Sequence, residues 1–279
     1  MLRHSLITSA TFLLLFTIWS CGDSPSGPDL SEAPDAPTLD NVKMDFSIFE
    51  QADTFHSIQS DTREAIRNKM DSLPVTANFT AYEQAAWYAY FAELWFQTMG
   101  SLPSAFFQEH QWGDPHVDGD TWIWEWSFAA EGESIAMRIT AETINNERHW
   151  ELRYTMEGMD IDLDNALLIA SQIRLDGSGG AWQLYDFFDE NEDPTYLMEY
   201  ELDGDITTLV DMRFDVEEDG RFLYRRDGDI GSLEMWDVFD AGRSILEWNN
   251  ETGKGSIQSE GYRDGNRVCW DENFQDTEC

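Results

Sequence analysis

The hydrophobic rhythm of the chain changes several times between its two ends. Residues 6–19 are an almost unbroken apolar run, and residues 22–40 carry almost no bulky apolar side chain. Residues 41–108 repeat at helical spacing, and from Thr121 onward the period becomes two. The clearest helical stretch opens at Thr80-Ala-Tyr-Glu83, a capping box in which the Thr80 hydroxyl takes the amide of Glu83 and the Glu83 carboxylate reaches back. Tyr82, Trp87, Tyr88, Phe91, Leu94, Trp95 and Met99 then put apolar surface around most of the circumference. That pattern predicts a helix over 80–99 buried on several sides, with Gly100 as the residue that ends it. A shorter helix is expected over 61–73, capped by Ser60 or Asp61.

Alternation starts with Trp122, Trp124, Trp126 and Phe128 on one side and Glu125 and Ser127 on the other. It continues through 134–142 and 148–157, then near 166–175, 180–188, 195–202, 207–216, 220–226, 231–239, 243–249 and 255–262. Asp176-Gly177, Asp203-Gly204, Asp219-Gly220, Asp227-Gly228 and Asp264-Gly265 supply turn signals between them. Leu202-Asp-Gly-Asp-Ile206 and Arg226-Asp-Gly-Asp-Ile230 repeat 24 residues apart, the length of one hairpin with its turns. Strands this regular, with no helices between them, predict an antiparallel meander of about ten strands that curls or closes. The expected fold class is α+β: N-terminal helices packed on a large curled β-meander, half-barrel or barrel-like, with helix 80–99 filling its concave face.

The apolar N-terminal run follows Arg3 and His4, contains no acidic residue and stops at a cysteine. A basic start, a short apolar core and a small residue before the cut are the parts of an export signal. Ile18-Trp19-Ser20-Cys21 resembles the lipobox of bacterial lipoproteins, although Trp19 is bulky where that motif usually has a small residue. The resemblance implies that residues 1–20 are a signal peptide and that Cys21 is acylated, so that the chain is exported and held to a bacterial membrane. Each buried methylene of an acyl chain contributes about 0.8 kcal/mol, so two or three chains anchor firmly where one does not. Residues 21–40, with four prolines and five acids, read as the acylated cysteine and a flexible tether with a reach of at most about 60 Å. Residues 41–279 then form one globular domain, helical over 41–108 and a sheet over 121–279.

Charge sharpens this picture. Fifty-five Asp and Glu stand against 17 Lys and Arg, a formal net charge of −38, which excludes nucleic acid as a partner class and disfavours anionic headgroups. Twelve Trp, nine Tyr and 17 Phe show that the chain is no disordered acidic tail. The acids are spread over the whole length, as expected of a protein adapted to concentrated salt, where screening shortens the Debye length to about 3 Å at 1 M. Beyond Cys21 there are only Cys269 and Cys279, which suit a disulfide closing a small C-terminal loop in an oxidising compartment.

Few stretches carry legible chemistry. His110, Asp114 and His116 lie in a turn-rich connection and are the candidate metal ligands, although their spacing matches no zinc signature. Asp160, Asp162 and Asp164 imitate the start of a calcium loop, but Asn165 and Ser171 stand where the EF-hand needs Gly and Glu. Asp176-Gly-Ser-Gly-Gly180 is neither a phosphate-binding loop nor a nucleophile elbow. Trp87, Trp95, Trp122, Trp124 and Trp126 are either core or the lining of a cavity for an apolar or sugar-like ligand. No catalytic constellation and no cofactor is indicated. A curled antiparallel sheet on a lipid anchor resembles the half-barrel of bacterial lipoprotein and lipid carriers of the envelope. Three roles follow as expectations, in this order: a non-enzymatic binding or scaffolding lipoprotein that meets an envelope protein; a carrier of a hydrophobic ligand; and a hydrolase using carboxylates or a metal.

Overall fold

A computed structural model describes residues 32–51, 79–107, 113–130, 133–158, 162–187, 193–204, 207–214, 220–236 and 242–279. Alternating side chains and tight turns give one antiparallel sheet whose spatial order is the chain order. Its strands are β1 (His116–Asp118), β2 (Thr121–Ala130), β3 (Glu133–Ile144), β4 (Glu147–Glu157), β5 (Leu163–Arg174), β6 (Gly179–Leu184) and β7 (Tyr196–Asp203), followed by β8 (Thr207–Phe214), β9 (Gly220–Asp227), β10 (Ile230–Trp236), β11 (Arg243–Asn249), β12 (Gly255–Ser259), β13 (Val268–Trp270) and β14 (Asp276–Thr277). The sheet is open, with β1 and β14 at its two edges. The fourteen strands exceed the ten expected because β1, β13 and β14 are only two or three residues long, too short for alternation to be read.

The turns show why the meander forms. Asn145 and Asn146 both sit at positive φ in the β3–β4 turn, and Gly177, Gly204 and Gly228 do so after their aspartates. Register sets Asp203 opposite Thr207 and Thr207 opposite Asp227. The two Asp-Gly pairs therefore lie at the same end of the sheet, one hairpin apart, with three residues between the paired Asp203 and Thr207 and two between Asp227 and Ile230.

One face of the sheet is aromatic. Its rows run Trp182–Met198–Met212–Phe222–Met235–Ser244–Ser259 and Gly180–Tyr200–Val210–Tyr224–Leu233–Leu246–Ile257 across β6–β12. Nearly all of these side chains are buried.

Two parts of the chain cross this face in opposite directions. The first, residues 32–51, is an extended strap ending in a single 3-10 turn at Ser47–Gln51. Asn41 Nδ2 donates to the carbonyl of Gly177 beside β6, at 3.2 Å. The Asp45 amide donates to the Tyr224 hydroxyl in β9, at 2.8 Å. Phe46 packs on Tyr224 and Trp248, and Phe49 on Trp248 and Trp270. The helical character expected from residue 41 onward is thus wrong for 41–46. Val42, Phe46 and Phe49 have helix-like spacing, but the backbone is held extended by bonds to the sheet.

The second is α1 (Ala81–Phe106), the one α-helix among the described residues. Its capping box forms: the Glu83 amide donates to Thr80 Oγ1 at 3.2 Å, and the Thr80 amide to Glu83 Oε2 at 2.9 Å. It begins at β13, where Tyr82 meets Trp270, and passes β9 and β8 through Phe91–Phe222 and Trp95–Phe214. Just beyond its end Phe107 lies against Trp150 of β4 and Trp182 of β6. Twenty-six residues at ~1.5 Å span about 39 Å, close to eight strand spacings of ~4.8 Å from β13 to β5. The helix does not stop at Gly100 as expected. A Cβ on Gly100 would lie 3.1 Å from Leu39 Cδ1, so this glycine lets the helix pass close to the strap. The other expected helix, 61–73, lies outside the described residues.

Candidate functional site

With one face covered by strap and helix, the opposite face of β7–β11 presents charge in a fixed lattice. Register places Leu197, Arg213, Arg221, Trp236 and Arg243 in one row, and Glu199, Asp211, Leu223, Glu234 and Ile245 in the next. Glu199 and Asp211 are thus directly opposed like charges, which is unfavourable unless a cation lies between them. Arg213 Nη2 is that cation, 3.0 Å from Glu199 Oε2 and 2.8 Å from Asp211 Oδ2. Arg221 adds a two-pronged bond to Asp211, 2.7 Å from Oδ1 and 2.6 Å from Oδ2. Asp211 is only 7 % exposed, and burial alone pushes its carboxyl up. The bonds from Arg221 and Arg213 outweigh that burial and hold it below the usual carboxylate range.

The lattice continues through an aromatic ring. Arg221 and Arg243 each lie over Trp236, 5.0 and 5.6 Å from the ring centroid. Arg243 then reaches Glu234 Oε2 at 2.5 Å, and Arg225 reaches Glu234 Oε1 at 3.2 Å. Four arginines and three carboxylates across five strands make a rigid polar surface whose donors and acceptors are already positioned. Next to it, on β3–β6, a cleft of about 460 Å³ is walled by Glu142, His149, Glu151, Gln172, Gln183 and Tyr185. These groups are polar hydrogen-bonding partners for a ligand; Tyr185 is pre-oriented by a 2.8 Å bond to Gln183 Oε1.

The residues singled out from the sequence lie elsewhere. Trp124 is buried and stacked on Trp150 at 5.5 Å, whereas Trp122 and Trp126 are half-buried beside it. Trp87 packs near Tyr90, and Trp95 against Phe91 and Phe214. None of the five is among the residues lining the cleft on β3–β6. Asp114 and His116 are exposed, His116 within β1 opposite Ile123, while His110 and Cys21 lie outside the described residues. Among the described residues no group of three or more His, Cys, Asp or Glu is placed to hold a metal ion.

The calcium-like stretch resolves into local structure. Asp162 Oδ1 accepts the Gly158 amide at 3.0 Å, and Asn165 sits at φ 53 where the β4–β5 register shifts. At Asp176 the carboxylate accepts the Ser178 amide at 2.9 Å, which is the work of a hairpin turn. Cys269 and Cys279 are joined by a disulfide, their Cα atoms 5.1 Å apart. Buried hydroxyls satisfy one another: Ser244 donates to Ser259 at 2.7 Å, and Tyr88 lies 3.2 Å from the same oxygen.

Sequence reasoning missed the arginine–tryptophan lattice. Its signal is the charged phase of β7–β11, which shows that Asp211, Arg213, Arg221, Glu234 and Trp236 share a face but not that they touch. Among known proteins, no family model, curated protein or solved structure matches this chain.

Proposed function

We propose that this protein is an envelope-anchored lipoprotein of a salt-adapted bacterium, acting as a non-enzymatic binding or scaffolding module. The observation that carries the reading is the division of labour between the two faces of the sheet. The apolar face is taken up by the chain's own strap and helix, and the opposite face carries the pre-positioned lattice from Glu199 to Arg243. A surface so ordered suits a polar macromolecular partner in the envelope, since its groups need little reorganisation on binding. We read the sheet further as a half-barrel-like trough around the strap and helix. The near-continuous burial of residues 81–92 supports that shape.

Anchorage rests on Ile18-Trp19-Ser20-Cys21. Among the described residues, Ala33, Ala36 and Leu39 pack on the core, so the far half of the stretch read as a tether is part of the folded body. The test is metabolic labelling with a palmitate analogue in a bacterial host, followed by detergent phase partition. The expected result is label on the full chain and recovery in the detergent phase, both lost in Cys21→Ser. Unlabelled protein that partitions into water would overturn the anchored reading.

A further inference from the structure

On a chain with 17 basic residues, one arginine stands without an ion pair among the described residues, in a cleft under the strap. The cleft, of about 720 Å³, lies between residues 32–41 and the ends of β4–β7, with Arg148, Trp150, Ile173, Arg174 and Tyr200 in its walls. Strand register sets Arg148, Ile173, Gly180 and Tyr200 in one row across β4–β7. Gly180 leaves the row open at its third place. A Cβ there would lie 3.0 Å from the Tyr200 hydroxyl oxygen, so the ring of Tyr200 leans over β6 towards Ile173 and Arg148. Gly179, one residue earlier, faces the other side of the sheet, where Arg174 lies over it, its Nη1 2.9 Å from where a Cβ would be, and bonds Glu201 at 3.3 Å.

We propose that this cleft is a binding site for a small soluble organic oxyanion, a carboxylate or phosphate group held by Arg148 and the Tyr200 hydroxyl, with the ligand's body against Trp150 and Ile173. Nε of Arg148 is buried with no hydrogen-bond partner, and Arg148 makes no ion pair within 4.0 Å among the described residues. A guanidinium in that condition is costly, and an incoming oxyanion removes the cost. Burial lowers its pKa, and the charge of Asp35 on the strap offsets this only in part. Burial raises the pKa of the Tyr200 hydroxyl, which is therefore a donor at neutral pH. Exposed Glu32 and Asp35 at the mouth penalise a multiply charged ligand, which favours a single oxyanion group.

The site deepens the reading as a binding module and rests on that part of it only; anchorage is tested separately through Cys21. Titration calorimetry of the full chain in 1 M NaCl, with sodium butyrate and sodium diethyl phosphate as separate singly charged probes, reads it directly. One probe at least is expected to bind saturably with one site per chain, and which one does identifies the oxyanion. Arg148→Gln should weaken it at least tenfold and Tyr200→Phe at least threefold, while Arg138→Gln on the other face leaves it unchanged. The melting temperature of Arg148→Gln without probe should equal or exceed the wild type's. Absence of saturable binding to both probes, wild-type affinity in Arg148→Gln, or binding only to phosphatidylglycerol vesicles overturns the proposal. Tyr200→Phe keeps the test decisive if Arg148→Gln does not fold.

Discussion

Two glycines show how single residues set the packing. Trp248 and Trp270 are almost wholly buried, and each indole lies flat over a glycine on the neighbouring strand, Gly231 and Gly255. A Cβ on Gly231 would fall 2.2 Å from Cε2 of Trp248, far inside contact distance. The ring cannot retreat, because Phe46 and Phe49 of the strap press on its other side at 5.6 and 5.3 Å. Gly231→Ala is therefore expected to cost about 1–3 kcal/mol, the usual penalty of forcing extra volume into a packed core. Urea unfolding followed by tryptophan fluorescence measures it, and an unchanged midpoint would show that the ring has room to move. At Asp211 the same scale governs charge: one carboxylate, 7 % exposed, accepts three bonds from two arginines and so keeps β7, β8 and β9 in one register.

At the level of elements, the C-terminus acts as a clasp on α1. The Ala81 amide, one of the helix's orphan donors, gives its hydrogen to Asp276 Oδ1 at 2.8 Å. Arg263 pairs with the other oxygen of the same carboxylate at 2.5 Å. Phe274 stacks on Tyr82 at 4.2 Å, and the Tyr82 hydroxyl donates to the Ile48 carbonyl at 2.6 Å. Burial pushes the Tyr82 hydroxyl up to about 12, which keeps that donor protonated far beyond neutrality. Strap, helix start and tail thus meet at one corner, and the Cys269–Cys279 disulfide keeps β14 there. Asp276→Ala should lose about 1 kcal/mol, the common cost of removing a helix N-terminal acceptor. Reduction of the disulfide should lose about 2–3 kcal/mol by freeing a short loop in the unfolded chain. Thermal unfolding with and without reductant checks both. If the two effects are coupled, the reduced Asp276→Ala protein will lose less than their sum.

For the whole molecule, charge and topology act together. An open sheet risks pairing with other sheets at its edges, but here the edges are a three-residue strand and a two-residue strand tied by a disulfide. A net charge of −38 adds mutual repulsion between copies and strain within each one. The strain is long-range and screened by salt, whereas apolar packing is strengthened by it. The melting temperature is accordingly expected to rise with NaCl into the molar range, by several degrees or more. Differential scanning calorimetry between 0.1 and 3 M NaCl measures this directly; a flat or falling trend would show that repulsion is a minor term.

Much of this fold is a local property of the sequence, and that part was legible. Side chains alternate across a strand because successive Cβ atoms point to opposite faces, so the phase of β2–β12 and the apolar side of each strand follow from composition alone. Asp-Gly turns and the Thr80–Glu83 capping box are equally local, since each involves residues only a few positions apart. What only the tertiary structure decided depends on groups far apart in the chain. That Arg221 meets Asp211 is a matter of register, since a one-residue slip would turn Arg221 to the other face without altering either strand's own pattern. Gly100 continues a helix instead of ending it because Leu39, 61 positions earlier, runs beside it. Residues 41–46 are extended because Tyr224 takes the Asp45 amide across the sheet. Arg148 and Tyr200 carry no motif between them, and they share one row only because the β5–β6 hairpin lies between β4 and β7 and a glycine leaves the space.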